Sequence, residues 1–169
     1  MDPLVELTSL NTNIQIDLIY YPEAICFVHK DITPALKEIQ TELEEQNLGL
    51  KIWDGYRPLS MQWKLWNALP DERYVADPRK GGRHTRGTAV DVTLVHHHNK
   101  TELEMPTGFD DFSEKAWSHS LDATVEAKRN RALLHQVMQK HGFLNIETEW
   151  WHFDWHAWET YPVLTLELY

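Results

Sequence analysis

The chain has 169 residues, 42% hydrophobic and 25% charged, which suits one globular domain with a single core and excludes a disordered chain. Sixteen Lys and Arg against 26 Asp and Glu leave a net charge of -10, which argues against nucleic acid or an anionic membrane surface as partner. The single cysteine, Cys26, excludes an intramolecular disulfide and a thiolate-rich metal site, so any metal must be held by His, Asp or Glu.

Met1 to Asn13 carries no basic start and no long apolar run, and no stretch is long enough to span a membrane, so a cytoplasmic protein without a signal peptide is the expectation. Ile14, Ile16 and Leu18 alternate with polar residues and predict a strand with one buried face, ended by Pro22. Thr33-Pro34 reads as an N-cap followed by proline at the first helical position, and Leu36, Ile39 and Leu43 recur at helical spacing until Asn47-Leu48-Gly49. Leu50 to Trp53 is a short strand that runs into a turn, Asp54-Gly55-Tyr56-Arg57-Pro58. Pro58 starts a second helix with Met61, Leu65 and Leu69 on one face, and Pro70 to Gly82 is a loop by composition. Ala89 to Val95 is a strand, with Val90, Val92 and Leu94 on one face and Asp91 and Thr93 on the other. After a polar loop from His96 to Phe112, a helix is predicted from about Leu121 to Lys140, with Leu133, Leu134, Val137 and Met138 apolar and Gly142 near its end. Trp150 to Trp155 is aromatic and strand-like. No repeat or linker divides the chain, and strands and helices alternate without regular βαβ units. The expectation is one α+β domain over 1–169, with a mostly antiparallel central sheet flanked by helices.

Two stretches carry chemistry. Gly81-Gly82-Arg83-His84-Thr85-Arg86-Gly87-Thr88-Ala89-Val90-Asp91 holds a histidine and a carboxylate around a glycine that permits a tight turn. Asp91 sits among apolar residues, and a half-buried carboxylate is costly unless paired or metal-bound. Glu149-Trp150-Trp151-His152 supplies a second imidazole and a second carboxylate. In a strand, positions three apart point to opposite sides, so Glu149 is expected in the loop entering the strand and His152 within it. Two imidazoles, one carboxylate ligand and a spare carboxylate make up the inventory of a catalytic zinc site with an open position.

This arrangement resembles the zinc D-alanyl-D-alanine dipeptidases of vancomycin resistance, within a superfamily that includes D,D-carboxypeptidases and shares its fold with the Hedgehog signalling domain. Trp53-Asp54-Gly55-Tyr56-Arg57-Pro58 is similar to the family's arginine motif, and His84 to Leu94 to its first zinc motif. Phe109-Asp110 falls where the dipeptidases have a substrate-binding aspartate. Asn130 to Leu134 and Gly142-Phe143 match the helix before the last motif, and Tyr20 aligns with an N-terminal tyrosine. The resemblance spans roughly residues 14 to 155. It implies that His84, Asp91 and His152 hold one zinc ion, that Glu149 is general base and then acid, and that Arg57 stabilises the transition state. It also implies that Tyr20 and Asp110 hold the ammonium of a small dipeptide substrate. Where the family usually has serine, this chain has Gly82, so Arg83 or a backbone N–H takes its place, and the loop between Arg57 and His84 is shorter. A D,D-carboxypeptidase acting on longer stem peptides is the alternative enzyme. A non-catalytic module with a structural zinc is the alternative outside enzymes, and it has no use for Glu149 and Arg57. His96-His97-His98 reads as solvated loop, Cys26 as a small buried hydrophobe, and Asp154 carries no role on sequence grounds.

Overall fold

The computed structural model describes residues 3–167; Met1, Asp2, Leu168 and Tyr169, the ends of the expected domain, lie outside the described residues. In chain order the strands are β1 (Leu4–Glu6), β2 (Gln15–Ile16), β3 (Phe27–His29), β4 (Leu48–Asp54), β5 (Ala89–His96), β6 (Phe143–Ile146) and β7 (Glu149–Trp155). The α-helices are α1 (Thr33–Glu44), α2 (Leu59–Ala68) and α3 (Val125–Lys140). β1 and β3 form a small antiparallel pair. The other five strands form one sheet in the order β2-β4-β5-β7-β6, in which β2 runs parallel to β4 and every other pair is antiparallel. The architecture is the expected α+β with a mostly antiparallel sheet.

One face of the sheet is apolar, as the period-two pattern requires. Leu50 and Ile52 of β4 and Val90, Val92 and Leu94 of β5 are fully buried, and α1 and α3 supply Leu36, Ile39, Leu43, Leu134, Val137 and Met138 to the same cluster. Each side chain removed from water here stabilises the fold by about 1.5–3 kcal/mol. The opposite face carries the polar residues Asp91 and Thr93, also buried.

The elements differ from the sequence pattern in several places: β1, β3 and β6 were not expected, and Leu48 and Gly49, expected to close α1, already belong to β4. The strand expected over residues 14–18 pairs only at Gln15–Ile16, yet the chain keeps following β4: the Asp17 N–H donates to the Ile52 carbonyl (2.9 Å) and the Ile19 N–H to the Trp53 carbonyl (3.2 Å), which delivers Tyr20 to the end of β4. Thr33 is the first residue of α1 rather than its cap, because a 3₁₀ turn over Lys30–Ile32 runs straight into the helix and the Thr33 hydroxyl donates back to the Lys30 carbonyl. α3 begins at Val125, not near Leu121: the Thr124 hydroxyl accepts the Ala127 N–H (3.0 Å), and Leu121 is exposed. Met61 and Leu65 of α2 and Leu69 just after it are only half-buried, and Gln62 is the buried residue. Gln62, Leu65 and Leu69 line a cavity over the polar face of the sheet rather than joining the apolar core.

Candidate active site

Three donor atoms from separate elements meet at the polar face of the sheet. β5 alternation turns Asp91 away from Val90 and Val92, and register places His152 of β7 directly beside it. His84 arrives by a 3₁₀ turn over His84–Arg86 that Gly87 closes at φ 70°, its N–H donating to the His84 carbonyl (3.0 Å). A Cβ at Gly87 would sit 2.8 Å from Leu4, so both conformation and space demand glycine there. The resulting separations are 3.2 Å between His84 Nε2 and His152 Nδ1, 3.3 Å between His84 Nε2 and Asp91 Oδ1, and 2.9 Å between His152 Nδ1 and Asp91 Oδ1. A tetrahedral zinc ion with ligand bonds of about 2.0–2.1 Å has donor–donor edges of about 3.3 Å, so the set fits that metal.

The outward nitrogens are committed as a metal site requires. His84 Nδ1–H donates to the Gly55 carbonyl (2.8 Å), and His152 Nε2–H donates to Asp154 Oδ1 (2.7 Å). Both bonds fix the tautomer that aims the other nitrogen inward. Asp154, without a role in the sequence reading, is thus the partner that orients His152. Gly55 can present its carbonyl because it packs on the β3 backbone, where a Cβ would lie 2.6 Å from the Phe27 oxygen. Burial alone would raise the Asp91 carboxyl, but the His84 and His152 imidazoles hold it well below the ordinary carboxylate range. Burial works against charge on His152, yet Asp154 and Asp91 on either side raise its pKa well above the usual value, so the site calls for positive charge. Among the described residues no other group of His, Cys, Asp and Glu gathers in this way, and His96, His97 and His98 stay outside it.

Glu149 is not in a loop: it is the first residue of β7. It nevertheless shares a side with His152, with 3.9 Å between Glu149 Oε2 and His152 Nδ1. The cause is an irregularity in the β6–β7 ladder, where Ile146 pairs with Glu149 but the adjacent Asn145 pairs with Phe153. Trp150, Trp151 and His152 therefore bulge out of that ladder, and the period-two rule fails across them. Burial is the chief influence on Glu149, and with Asp91 and Asp110 it outweighs the pull of His152 and Arg57, so its pKa is pushed up to about 8. A carboxyl so placed is poised to exchange a proton near neutral pH.

A second irregularity shapes the arginine. Ile52 pairs with Val92 and Asp54 with Asp91, so Trp53 is extra and Asp54 comes to lie beside Asp91. Asp54 then receives Arg57 Nε (2.9 Å) and Nη2 (2.5 Å), while Arg57 Nη1 donates to Gln62 Oε1 (2.9 Å). Gln62 is itself held by donating to the Ala76 carbonyl (2.7 Å). Burial would disfavour the guanidinium charge, but Asp54 raises its pKa and keeps it cationic. Asp54 and Gln62 were missed on the sequence; a carboxylate ending an apolar strand was the available signal for Asp54.

Tyr20 and Asp110 meet across 90 positions of sequence: the Tyr20 hydroxyl donates to Asp110 Oδ2 (2.7 Å), and Arg57 lies over the Tyr20 ring at 5.1 Å. Phe109 packs against Trp53 and Trp151 at 5.0 and 5.6 Å, which pins the loop that presents Asp110 in a left-handed conformation (φ 57°). Burial, the largest influence, together with Asp91 raises the Asp110 pKa to about 6 against the Tyr20 hydrogen bond. All seven expected site residues line one cavity, whose remaining wall includes Leu65, Leu69, Tyr74, Val75 and Phe112. The short loop before His84 therefore still closes one side. The Gly82 N–H is taken by the Thr85 hydroxyl (3.0 Å), whereas Arg83 lines the cavity with its Nε 3.3 Å from Asp154 Oδ2.

A family model described as D-ala-D-ala dipeptidase matches residues 8–162. The chain is 37% identical over 172 aligned residues to a D-alanyl-D-alanine dipeptidase of Escherichia coli, covering 95% of this chain and 89% of that protein. It is 28% identical over 142 residues to one of Enterococcus faecalis, covering 73% and 70%. Among solved structures, the LdcB LD-carboxypeptidase aligns with a TM-score of 0.56 at 18% identity over 92% of this chain and 68% of that one. VanYB in complex with D-alanine-D-alanine aligns at 0.51 and 14% identity over 88% and 81%, a likeness of fold. On the matched length, the identity and the motifs together, this chain belongs to the D-ala-D-ala dipeptidase family of peptidases.

Proposed function

We propose that this protein is a metallopeptidase that binds one zinc ion and hydrolyses D-alanyl-D-alanine to two molecules of D-alanine. The reading is carried by the convergence of His84 Nε2, Asp91 Oδ1 and His152 Nδ1 in one cavity that also holds Glu149, Arg57 and the Tyr20–Asp110 pair. The chemistry that zinc supplies when bound by those three atoms is Lewis acidity toward water and the scissile carbonyl. Glu149 takes a proton from the attacking water and returns it to the departing amine nitrogen, the task its raised pKa suits. Asp54 and Gln62 occupy three of the five N–H groups of Arg57, which leaves two for the oxygen on which negative charge develops. Asp110, steadied by the Tyr20 hydroxyl, accepts the substrate's ammonium. A carboxylate at the amino end favours the free ammonium of a dipeptide over the longer peptides of a D,D-carboxypeptidase. A purely structural zinc module has no need of a buried carboxyl and guanidinium beside the metal.

The test is release of free D-alanine from D-alanyl-D-alanine by the zinc-loaded enzyme, with and without a chelator. Release that stops on chelation and returns with zinc is the expected result. His84→Ala, Asp91→Ala and His152→Ala should each lose tightly bound zinc and activity together. Full zinc occupancy in all three after dialysis would refute the site.

A further inference from the structure

The Glu149–His152 pair faces one way only because β7 leaves its ladder with β6 over Trp150, Trp151 and His152. In a regular antiparallel pair the β6 backbone would supply N–H groups to the β7 carbonyls. Here one side chain does that work. The Asn145 amide Nδ2 donates to the carbonyls of Glu149 (2.8 Å) and His152 (2.8 Å) and approaches that of Trp150 at 3.3 Å. Further donors to the bulge are His135 of α3, whose Nε2 lies 3.0 Å from the Trp150 carbonyl, and the Ser118 hydroxyl, 3.5 Å from the Glu149 carbonyl. The amide's own orientation is set by Ser118, whose hydroxyl contacts Asn145 Oδ1 and the Ile146 carbonyl (2.5 Å). Ser118 is in turn tied to the hairpin turn by its N–H, which donates to the Glu147 carbonyl (2.8 Å).

We propose that Asn145 is a positioning residue: its side-chain amide replaces the missing strand partner and holds the bulge that turns Glu149 and His152 toward the same point. Asn145 touches neither substrate nor metal in this role. The chemistry demands its residue type, because only an amide of this length offers two N–H donors to bind the carbonyls on both sides of the bulge while its oxygen accepts from Ser118. Removing the donors strands carbonyls that lie between buried residues, and the local way to satisfy them is to restore the regular ladder. A restored ladder carries Glu149 and His152 to opposite faces of β7. The inference rests on the proposed metal and base roles of those two residues.

The test compares Asn145→Ala, Asn145→Asp and Ser118→Ala with the wild type and with Leu43→Ala, a core substitution far from the bulge. Zinc affinity is read by chelator competition, kcat and KM on D-alanyl-D-alanine, and folding by thermal melting. Loss of an outer partner of a metal ligand typically lowers metal affinity or activity by about 10–100-fold. Asn145→Ala and Asn145→Asp should each lose about tenfold or more in zinc affinity and in kcat, with KM changed far less; Ser118→Ala should shift both in the same direction by less. Leu43→Ala should lower the melting temperature and leave zinc affinity unchanged. Zinc affinity and kcat within twofold of wild type in folded Asn145→Ala would overturn the proposal and leave the clamp a purely structural one. If both Asn145 variants fail to fold, Ser118→Ala decides, and unchanged zinc affinity and kcat there overturn it. The zinc arm reads without any substrate, so failure of the wild type to cleave the dipeptide would count against the proposed reaction and not against the clamp.

Discussion

The two ends of the cavity are built differently. At the metal end, Asp91 and His152 stand on neighbouring strands in fixed register, and the His84 and His152 rings are held by the Gly55 carbonyl and the buried Asp154 carboxylate. At the amine end, Tyr20 and Asp110 come from irregular segments, one trailing along the edge of β4 and the other anchored through Phe109 on an aromatic cluster. Asp91 and His152 sit on the sheet, where the β5–β7 register fixes their positions, and His84 sits on a turn that Gly87 closes and the Gly55 carbonyl holds. Recognition of a substrate terminus sits on loops, where length and sequence can change without disturbing the chemistry. Damage at the first end should therefore strike kcat, and damage at the second should strike selectivity.

Selectivity offers the largest effect. Blocking the substrate's amine by acetylation removes its charge and leaves the Asp110 carboxylate with the Tyr20 hydroxyl but no cation to pair with, and discrimination of this kind can reach about 10⁴ in kcat/KM. D-alanyl-D-alanine should be cleaved and its N-acetyl derivative should not, and Asp110→Ala should narrow the gap mainly by harming the free dipeptide. Comparable kcat/KM for both substrates would move the protein to carboxypeptidase chemistry.

At the metal end, Glu149→Gln keeps the shape of the side chain and removes its capacity to accept a proton. Turnover should fall by about 10²–10⁴ while zinc stays bound. Near-normal turnover would mean that another group is the base. Arg57→Ala should cost about 10²–10³, borne by kcat rather than KM, since its charge matters most as the oxyanion forms. An effect confined to KM would make Arg57 a ground-state anchor and blur the contrast between the two ends.

The smallest effect is a pH limb from the amine end. Burial raises the Asp110 pKa to about 6, and in the proposed reaction its anion is the form that would pair with the ammonium. In kcat/KM, which reads the free enzyme, this titration lies below the acid limb of Glu149, pushed up to about 8, and steepens the fall below about 6. The extra steepness below about 6 should disappear in Asp110→Asn while the Glu149 limb stays; an unchanged steep fall in that variant would assign it to another group.

Sequence by itself determined the parts whose logic is local. The alternation of Val90, Val92 and Leu94 against Asp91 and Thr93 fixed which side of β5 is polar, and the helical spacing of Leu36, Ile39 and Leu43 fixed the buried stripe of α1, because both patterns follow from backbone period and burial. The motifs around Arg57, His84, Asp91 and Glu149 to His152 pointed to a metal and acid–base site, because such sites admit few residue types, and their resemblance to the dipeptidase family supplied the expected roles. Tertiary structure alone decided how those residues meet. It placed Glu149 beside His152 through a bulge that no period-two reading of Trp150 to Trp155 contains, and Asp54 beside Asp91 through the extra Trp53. It also gave Asp154 its work on His152 and turned Leu65 of α2 and Leu69 just after it toward the cavity rather than the core. In each case the deciding partner lies on another strand or loop, and a ladder's register is a property of two segments, so neither segment's pattern holds it alone.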